Sequence, residues 1–167
     1  MVVRELRPND LSAIAATEGG PAWHGGWDHW PRYLAEHQAG TRVTLVVPEG
    51  EAIVGYGSLV WRSQYPAFAA AGIPEIQDMV VAQSHRGRGG ATAMIAGFEA
   101  RAKAAGCATM GIGVGLYADY GSAQRLYARL GYQPDGLGVT YDNRAATPGQ
   151  SYRLDDDLVL WLTKPLR

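Results

Sequence analysis

The apolar and polar positions of the chain follow two periods, and the change from one to the other marks the predicted elements. Period-two runs rich in β-branched residues predict strands at Val2–Leu6, Thr41–Val47, Ala52–Trp61, Glu75–Val81, Thr109–Val114, Val139–Tyr141 and Leu158–Thr163. Helical spacing predicts helices from Asp10 to about Thr17 and at Trp30–Gln38, Ala91–Ala105 and Ser122–Leu130. The segments Arg62–Pro74 and Asn143–Gln150 are expected to be loops.

The turn between the strand Glu75–Val81 and the helix starting at Ala91 is the most informative segment. It reads Arg86-Gly87-Arg88-Gly89-Gly90, with three glycines and two arginines. Glycines let a backbone approach a ligand closely, and a helix start presents unpaired N–H groups at the positive end of its dipole. The pattern therefore predicts a site for a pyrophosphate-like anion.

Two other interpretations of the same five residues remain. Arg-Gly-Arg-Gly-Gly is also typical of disordered RNA-binding tracts, and it is compatible with a flexible surface loop. Such tracts repeat in low-complexity surroundings, whereas this segment occurs once, between a strand pattern and a helix pattern. The context favours the anion site.

Composition narrows the function classes. The 167 residues are expected to form a single domain over 1–167, with an apolar fraction of 47%. A formal net charge of −1 argues against nucleic acid or an anionic membrane as partner. The lone Cys107 excludes an intrachain disulfide framework, and with no signal-peptide pattern at the N-terminus we expect a cytoplasmic protein.

Two segments carry a resemblance to a known family. Arg86–Ala91 fits the signature R/Q-x-x-G-x-G/A, and Tyr120–Tyr132 resembles N-x-x-A-x-x-L-Y-x-x-x-G-F/Y. Both are similar to motifs of the GCN5-related N-acetyltransferases (GNAT), and the predicted order of elements is similar as well. Tyr120 departs from the pattern, because many members have Asn there.

The resemblance implies a mixed α/β fold and a cofactor. The fold has a central, mostly antiparallel twisted sheet of six or seven strands, splayed between strands 4 and 5 and flanked by about four helices. The expected co-substrate is acetyl-CoA. The residues expected to bind it are Met79, Val80, Val81, Arg86, Gly87, Arg88, Gly89, Gly90, Ala91, Thr92, Tyr120 and Ser122.

Acetyl transfer to an amine needs a base for the amine proton and an acid for the leaving thiol. Glu75 and Asp78, on the strand that enters the glycine turn, are the candidates for the base. The resemblance favours Glu75, which matches the position of the basic glutamate in some histone-acetylating relatives. Strict alternation would place Asp78 on the opposite face from Glu75, although a bulge would alter that count. Tyr127 matches the tyrosine that serves as the acid in many members. A solvent-exposed or core role is the alternative for each of these residues.

The acceptor site is less determined. The segments that wall the acceptor pocket of relatives contain the aromatic residues Trp23, Trp27, Trp30, Tyr33, Trp61 and Tyr65. The predicted acceptor contacts among them are Trp27, Trp30, Trp61 and Tyr65. They could hold a cationic or planar substrate by stacking, or they could be core residues. His24, His29 and His37 lack metal-ligand spacing, so no metal is expected.

The predicted function is acetyl-CoA-dependent acetylation of a small-molecule amine by direct attack in a ternary complex, by a monomer or homodimer. Two alternatives stay open. One is an enzyme of secondary metabolism that takes its acyl group from the phosphopantetheine arm of a carrier protein. The other is a non-catalytic acetyl-CoA-binding module, which would need neither Tyr127 nor the two carboxylates.

Overall fold

A computed structural model describes residues 1–16 and 29–166 of the chain, which form a mixed α/β structure. The helices are α1 (Asp10–Ala16), α2 (Trp30–Gln38), α3 (Pro66–Ala71), α4 (Gly90–Ala104) and α5 (Gly121–Arg129). The strands are β1 (Arg4–Glu5), β2 (Arg42–Glu49), β3 (Ala52–Val60), β4 (Glu75–Val81), β5 (Thr109–Gly115), β6 (Gln133–Tyr141), β7 (Arg144–Ala145) and β8 (Leu158–Pro165). The chain separates into two compact units, one of residues 1–61 and 76–101 and one of residues 62–75 and 102–167.

The first unit is built on strands in the order β1, β2, β3, β4. The β2–β3 hairpin is antiparallel, with Arg42 opposite Val60 at its open end and a register shift between Val47 and Pro48. Apolar residues from α1, α2 and these strands form a buried cluster of Leu6, Ile14, Trp30, Tyr33, Val46, Ile53, Tyr56 and Val80. Burial of these side chains holds the two helices on the strands.

The second unit contains the antiparallel strand order β5, β8, β6, β7. Its buried cluster is aromatic. The rings of Tyr65 and Trp161 are stacked with centroids 4.4 Å apart, and Phe68 meets Trp161 edge-on at 5.3 Å. The indole N–H of Trp161 donates to Thr140 Oγ1 at 2.8 Å, so this buried polar atom is paired.

The predicted elements are largely confirmed, although β6 begins at Gln133 rather than at the predicted Val139, and three further corrections apply. The described residues form eight strands rather than six or seven, because β7 lies in the expected loop after Asn143 and pairs with β6. The expected loop 62–74 contains α3. This six-residue helix begins with Pro66 and ends at Gly72, whose φ of 64° gives a left-handed C-cap. It is too short for hydrophobic periodicity to reveal it.

The third correction concerns α5. The sequence predicted Ser122 as its N-cap, but the cap position is Tyr120, whose side chain makes no capping hydrogen bond. A 3₁₀ turn at Ala118–Tyr120 leads directly into the helix and places Ser122 inside its first turn, exposed to solvent. None of the helices in the described ranges is both long and apolar enough to cross a membrane.

Candidate functional site

The glycine turn joins the end of β4 to the start of α4 and has the predicted strand–turn–helix form. Gly87 and Gly89 have φ values of 75° and 87°, in the left-handed region that glycine adopts most readily. A β-carbon at either position would meet no atom within 4 Å, so backbone conformation rather than lack of space favours glycine here.

The helix start beyond the turn is suited to an anion. The N–H of Ala93 donates to the carbonyl of Gly89 at 2.9 Å and begins the helical hydrogen bonds. The N–H groups of residues 90–92 precede that first bond and have no acceptor within the helix. The first turn of α4 contains no acidic residue, so the positive end of the helix dipole is not neutralised from within the helix.

Charged side chains surround the same turn. Arg86 and Arg88 are exposed, and Arg86 Nε donates to the carbonyl of Val81 at 3.1 Å. Glu49, at the end of β2, hydrogen-bonds to the ring of His85 and lies 3.9 Å from Arg88 Nη1. Glu49 was not among the predicted site residues, since only the folded hairpin brings it here. An anion bound at the turn would compete with this carboxylate for Arg88.

Asp78 interrupts the regular geometry of β4. Its φ is 54°, which is uncommon for a residue with a side chain in the middle of a strand. Such a conformation costs about 1–3 kcal/mol and persists where the surrounding structure enforces it, often at functional sites. The β4 residues on either side of Asp78 are buried, with Ile76 and Val80 each 2% exposed.

The Asp78 carboxylate contacts residues of α2 and β2. Tyr33 donates its hydroxyl to Asp78 Oδ2 at 2.7 Å, and Arg42 Nη1 lies 3.4 Å from the same oxygen. Arg42 also donates from Nε to Glu36 at 2.7 Å, and its guanidinium lies 3.8 Å from the centre of the Tyr33 ring. Burial, together with the charge and hydrogen bond of Asp78, raises the pKa of Tyr33 to about 12.

Glu75 has a different environment within the second unit. The residue is 5% exposed, and its carboxylate accepts a hydrogen bond from Ser63. Ser63 Oγ in turn accepts the backbone N–H of Tyr65 at 2.9 Å, so the carboxylate is tied to the loop before α3. By contrast, the side chain of Asp78 is 24% exposed. Asp78 is thus the more accessible of the two predicted base candidates.

Tyr127 lies on α5 and is 7% exposed. Burial raises the pKa of its phenol to about 12, so the hydroxyl is protonated at neutral pH. No hydrogen bond joins this hydroxyl to another residue in the part of the chain that the structure describes. The phenol can therefore donate its proton to a bound molecule without breaking an internal contact.

Tyr120 precedes α5 and has its own partner. Its hydroxyl donates to Asp156 at 2.9 Å, and its ring covers Gly115, where a β-carbon would approach it to 2.5 Å. Tyr117 donates to the same carboxylate. At the position where the resemblance led us to expect an asparagine, the chain has a tyrosine that is already hydrogen-bonded within the second unit.

The four aromatic residues predicted to contact the acceptor differ in their burial. Trp30 is 0% exposed and Tyr65 is 5% exposed, and each fills the core of its own unit. Their placement corresponds to the core alternative, and neither can contact an acceptor without repacking. Trp61 is half-buried at the end of β3, and Trp27 lies outside the described residues.

His37 and His85 form hydrogen bonds with nearby groups. His37 Nδ1 accepts the backbone N–H of Thr44 at 3.2 Å, and His85 contacts Glu49 and Ser84. Over residues 1–16 and 29–166, no three His, Cys, Asp or Glu side chains come together in a way that could hold a metal ion. His24 lies outside these ranges.

Comparison with known proteins identifies the family. The sequence model of the "Acetyltransferase (GNAT) family" matches residues 12–132, which include the glycine turn, both carboxylates and Tyr127. The chain belongs to the GNAT acetyltransferase family. Members of this family use acetyl-CoA, and membership supports an N-acetyltransferase in general terms.

Solved structures share the fold over the full length of the chain. An N-acetyltransferase from Staphylococcus aureus Mu50 is 20% identical with a TM-score of 0.72, covering 99% of this chain and 98% of its own. A ribosomal-protein-alanine N-acetyltransferase from Brucella melitensis is 18% identical with a TM-score of 0.70, covering 99% and 100%. An aminoglycoside 6'-N-acetyltransferase complexed with coenzyme A is 16% identical with a TM-score of 0.70, covering 100% and 98%. No curated protein sequence matches the chain.

Proposed function

We propose that this protein transfers the acetyl group of acetyl-CoA to the amine of a small molecule, by direct attack within a ternary complex. The observation that carries the proposal is the turn before α4. There the left-handed Gly87 and Gly89, the free N–H groups of residues 90–92 and two exposed arginines lie together. This combination fits a pyrophosphate, a doubly charged part of CoA.

The donor binds along the end of β4 and the start of α4 in this proposal. The backbone N–H groups from Gly87 to Thr92 hold the pyrophosphate, and Arg86 and Arg88 neutralise its charge. Met79, Val80 and Val81 pair through their backbone with the pantetheine amides, as an added strand would. Tyr120 and Ser122 remain candidate contacts to the cofactor on the strength of the family motif alone.

Asp78 is the base we favour. An alkyl ammonium titrates near pH 10, so at neutral pH a group on the protein or a water chain must take its proton before the nitrogen can attack the thioester carbon. Asp78 reaches solvent, whereas Glu75 is buried in a hydrogen bond with Ser63. This reverses the order that the resemblance suggested, and Glu75 becomes the second candidate.

Tyr127 donates a proton or a strong hydrogen bond to the sulfur that leaves. With a phenol pKa of about 12 and a thiol near 8.5, full transfer to a free thiolate is uphill by roughly 5 kcal/mol. A hydrogen bond that strengthens as the C–S bond breaks is therefore the larger part of its contribution. The products are the N-acetylated amine and CoA as a thiol.

The acceptor is proposed to be a small amine. Two of the solved structures are named for their acceptors, an aminoglycoside and an alanine of a ribosomal protein, and their likeness to this chain shows the fold alone. The half-buried Trp61 is the described aromatic residue that we retain as an acceptor contact. A ring at that position could stack on a cationic or planar acceptor.

The test has two stages. Calorimetry should first show binding of CoA, and purified protein with acetyl-CoA should then release free thiol with at least one of ethylamine, spermidine, kanamycin or an alanine-terminated tripeptide. CoA binding without amine-dependent thiol release would favour a non-catalytic module. Absence of CoA binding at millimolar concentration would exclude the proposed donor, and activity with an acylated carrier protein alone would indicate the carrier-dependent enzyme.

The base is tested with Asp78→Asn and Glu75→Gln. If Asp78 removes the amine proton, its amide variant should lose rate at neutral pH, and the loss should shrink as the pH approaches 10, where the amine deprotonates by itself. Glu75→Gln should change the rate by a factor that does not depend on pH. A pH-independent loss in both variants would mean that a water chain or an already neutral amine replaces the carboxylate.

A further inference from the structure

The two hydrogen-bond donors around Asp78 reach the same oxygen. Tyr33 Oη lies 2.7 Å from Oδ2, and Arg42 Nη1 lies 3.4 Å from that oxygen as well. Within the part of the chain that the structure describes, Oδ1 accepts no hydrogen bond. A carboxylate held in this way keeps one oxygen engaged and leaves the lone pairs of the other available.

The donors are themselves held in place. Arg42 is 7% exposed in its side chain, and its bond to Glu36 at 2.7 Å fixes the guanidinium from the other side. Tyr33 is 8% exposed and belongs to the buried cluster of the first unit. Each donor therefore has little freedom to follow the carboxylate if Asp78 changes its rotamer.

We infer that Tyr33 and Arg42 are positioning residues that hold Asp78 by Oδ2 so that Oδ1 receives the proton of the acceptor amine. This inference rests on the proposed function. In the step, an N–H bond of the ammonium breaks, the proton goes to Oδ1, and the freed nitrogen lone pair attacks the thioester carbon. The C–S bond then breaks, and the nitrogen loses a second proton as the sulfur gains one, so that CoA leaves as a thiol. Neither Tyr33 nor Arg42 exchanges a proton, because the pKa of the Tyr33 phenol is raised to about 12 and arginine side chains are not deprotonated in proteins.

A purely structural role accounts for less of the geometry. A carboxylate needed only to pair Arg42 could sit on a relaxed strand, whereas Asp78 adopts a strained φ of 54° and keeps its side chain 24% exposed. Arg42 already has a closer carboxylate partner in Glu36, at 2.7 Å against 3.4 Å. The strain and the exposure are both explained if the free oxygen of Asp78 must face an incoming molecule.

A double-mutant cycle between Tyr33→Phe and Asp78→Asn tests the inference, with acetyl-CoA and the most active amine of the panel above. Tyr33→Phe alone should lower kcat about tenfold, since mispositioning of a reactive group by a fraction of an ångström is costly. It should leave the calorimetric affinity for CoA unchanged. In the Asp78→Asn background the same change should have no further effect, because the group that it positions is gone.

Tyr141→Phe is the matched control, because it also removes a phenol that donates to an aspartate, Asp155 at 3.0 Å, in the second unit. It should change kcat less than twofold in both backgrounds. If Tyr33→Phe folds poorly, Arg42→Lys replaces it in the same cycle, since lysine keeps the charge but cannot reach Glu36 and Asp78 with a fixed fork.

The outcomes separate this inference from the proposed function. Effects of Tyr33→Phe and Asp78→Asn that multiply, or a kcat that Tyr33→Phe leaves unchanged, overturn the positioning role while acetyl transfer stands. Full activity of Asp78→Asn does the same, because there is then no base to position. Absence of turnover by the unaltered protein with every amine overturns both.

Discussion

Two glycine-rich segments of this protein, the turn at 86–90 and β5, use glycine for different reasons. In the turn at 86–90, Gly87 and Gly89 have left-handed φ values and open space around them. In β5, the backbone at Gly111, Gly113 and Gly115 is extended, and added β-carbons would lie 2.2 to 2.9 Å from the nearest neighbouring atoms. The first segment needs the backbone freedom of glycine, and the second needs its small size.

The difference indicates a binding role for the turn and a structural role for β5. The open space beside the turn is available to a ligand, whereas the space above β5 is filled by Phe68, Trp161 and Tyr120. Gly115 also accepts a hydrogen bond from Gln124 at 2.8 Å, which holds α5 against the end of β5. The second segment thus supports the helix that carries Tyr127.

The largest effect is expected at Tyr127. Tyr127→Phe should lower kcat by roughly ten- to a thousandfold, because losing one hydrogen bond to a charge that develops in the transition state typically costs about 10² to 10³ in rate. CoA affinity should barely change. Tyr132→Phe, whose ring lies 6.2 Å away, is the control and should keep its rate. An unchanged rate constant for Tyr127→Phe at every pH would make Tyr127 a core residue.

The next largest effect is expected for Gly111→Ala. It should lower the free energy of unfolding by about 3 kcal/mol, because the new methyl group would overlap the buried ring of Phe68. Urea denaturation at 25 °C measures it. In Gly121→Ala the new methyl group would meet only the side-chain end of Arg125, at 3.9 Å, and the backbone is helical, so the change should cost nothing. Combining Gly111→Ala with Phe68→Leu should recover part of the loss, and failure to recover any would mean that the ring is not the obstacle.

Gly89→Val should weaken CoA binding by about tenfold or more, through a displaced backbone and a side chain in the cradle. The left-handed φ makes the change cost about 1–2 kcal/mol of stability as well, without unfolding the protein. Gly40→Val controls for that cost, since Gly40 has a φ of 75° and equally open surroundings after α2. Normal CoA affinity for Gly89→Val in calorimetry would place the cradle elsewhere.

The smallest effect is expected at Tyr120, whose ring covers Gly115. Burial and the bond to Asp156 raise the pKa of Tyr120, so its neutral form is favoured in the folded state. The stabilisation that the neutral Tyr120 phenol gives the folded state is present below the unfolded pKa near 10 and is lost as the pH rises above it. Between pH 9 and 11 the loss should be at most about 1 kcal/mol, since the side chain is partly exposed. Tyr120→Phe should lack this share of the alkaline destabilisation, and an identical pH profile would show that Tyr120 is not shielded.

Local sequence signals were sufficient for elements with uninterrupted patterns. The bounds of α2 and β4 are confirmed at both ends, and α4 is displaced by one residue. In β4 a β-branched run ends at a glycine turn, and α2 has a Pro near its start and Gly40 beyond its end, so neighbours along the chain decide these elements. The family and its strand–turn–helix motif follow from the same local signals.

Only the tertiary structure decided which groups are accessible and what holds them. Trp30 and Trp61 were both predicted acceptor contacts, yet one is fully buried and the other half-buried. Tyr33 and Arg42 meet Asp78 across 45 and 36 residues of sequence, and Glu49 meets His85 across 36. Contacts at such separations depend on how packed helices and strands bring their faces together, and residue order alone does not specify that packing.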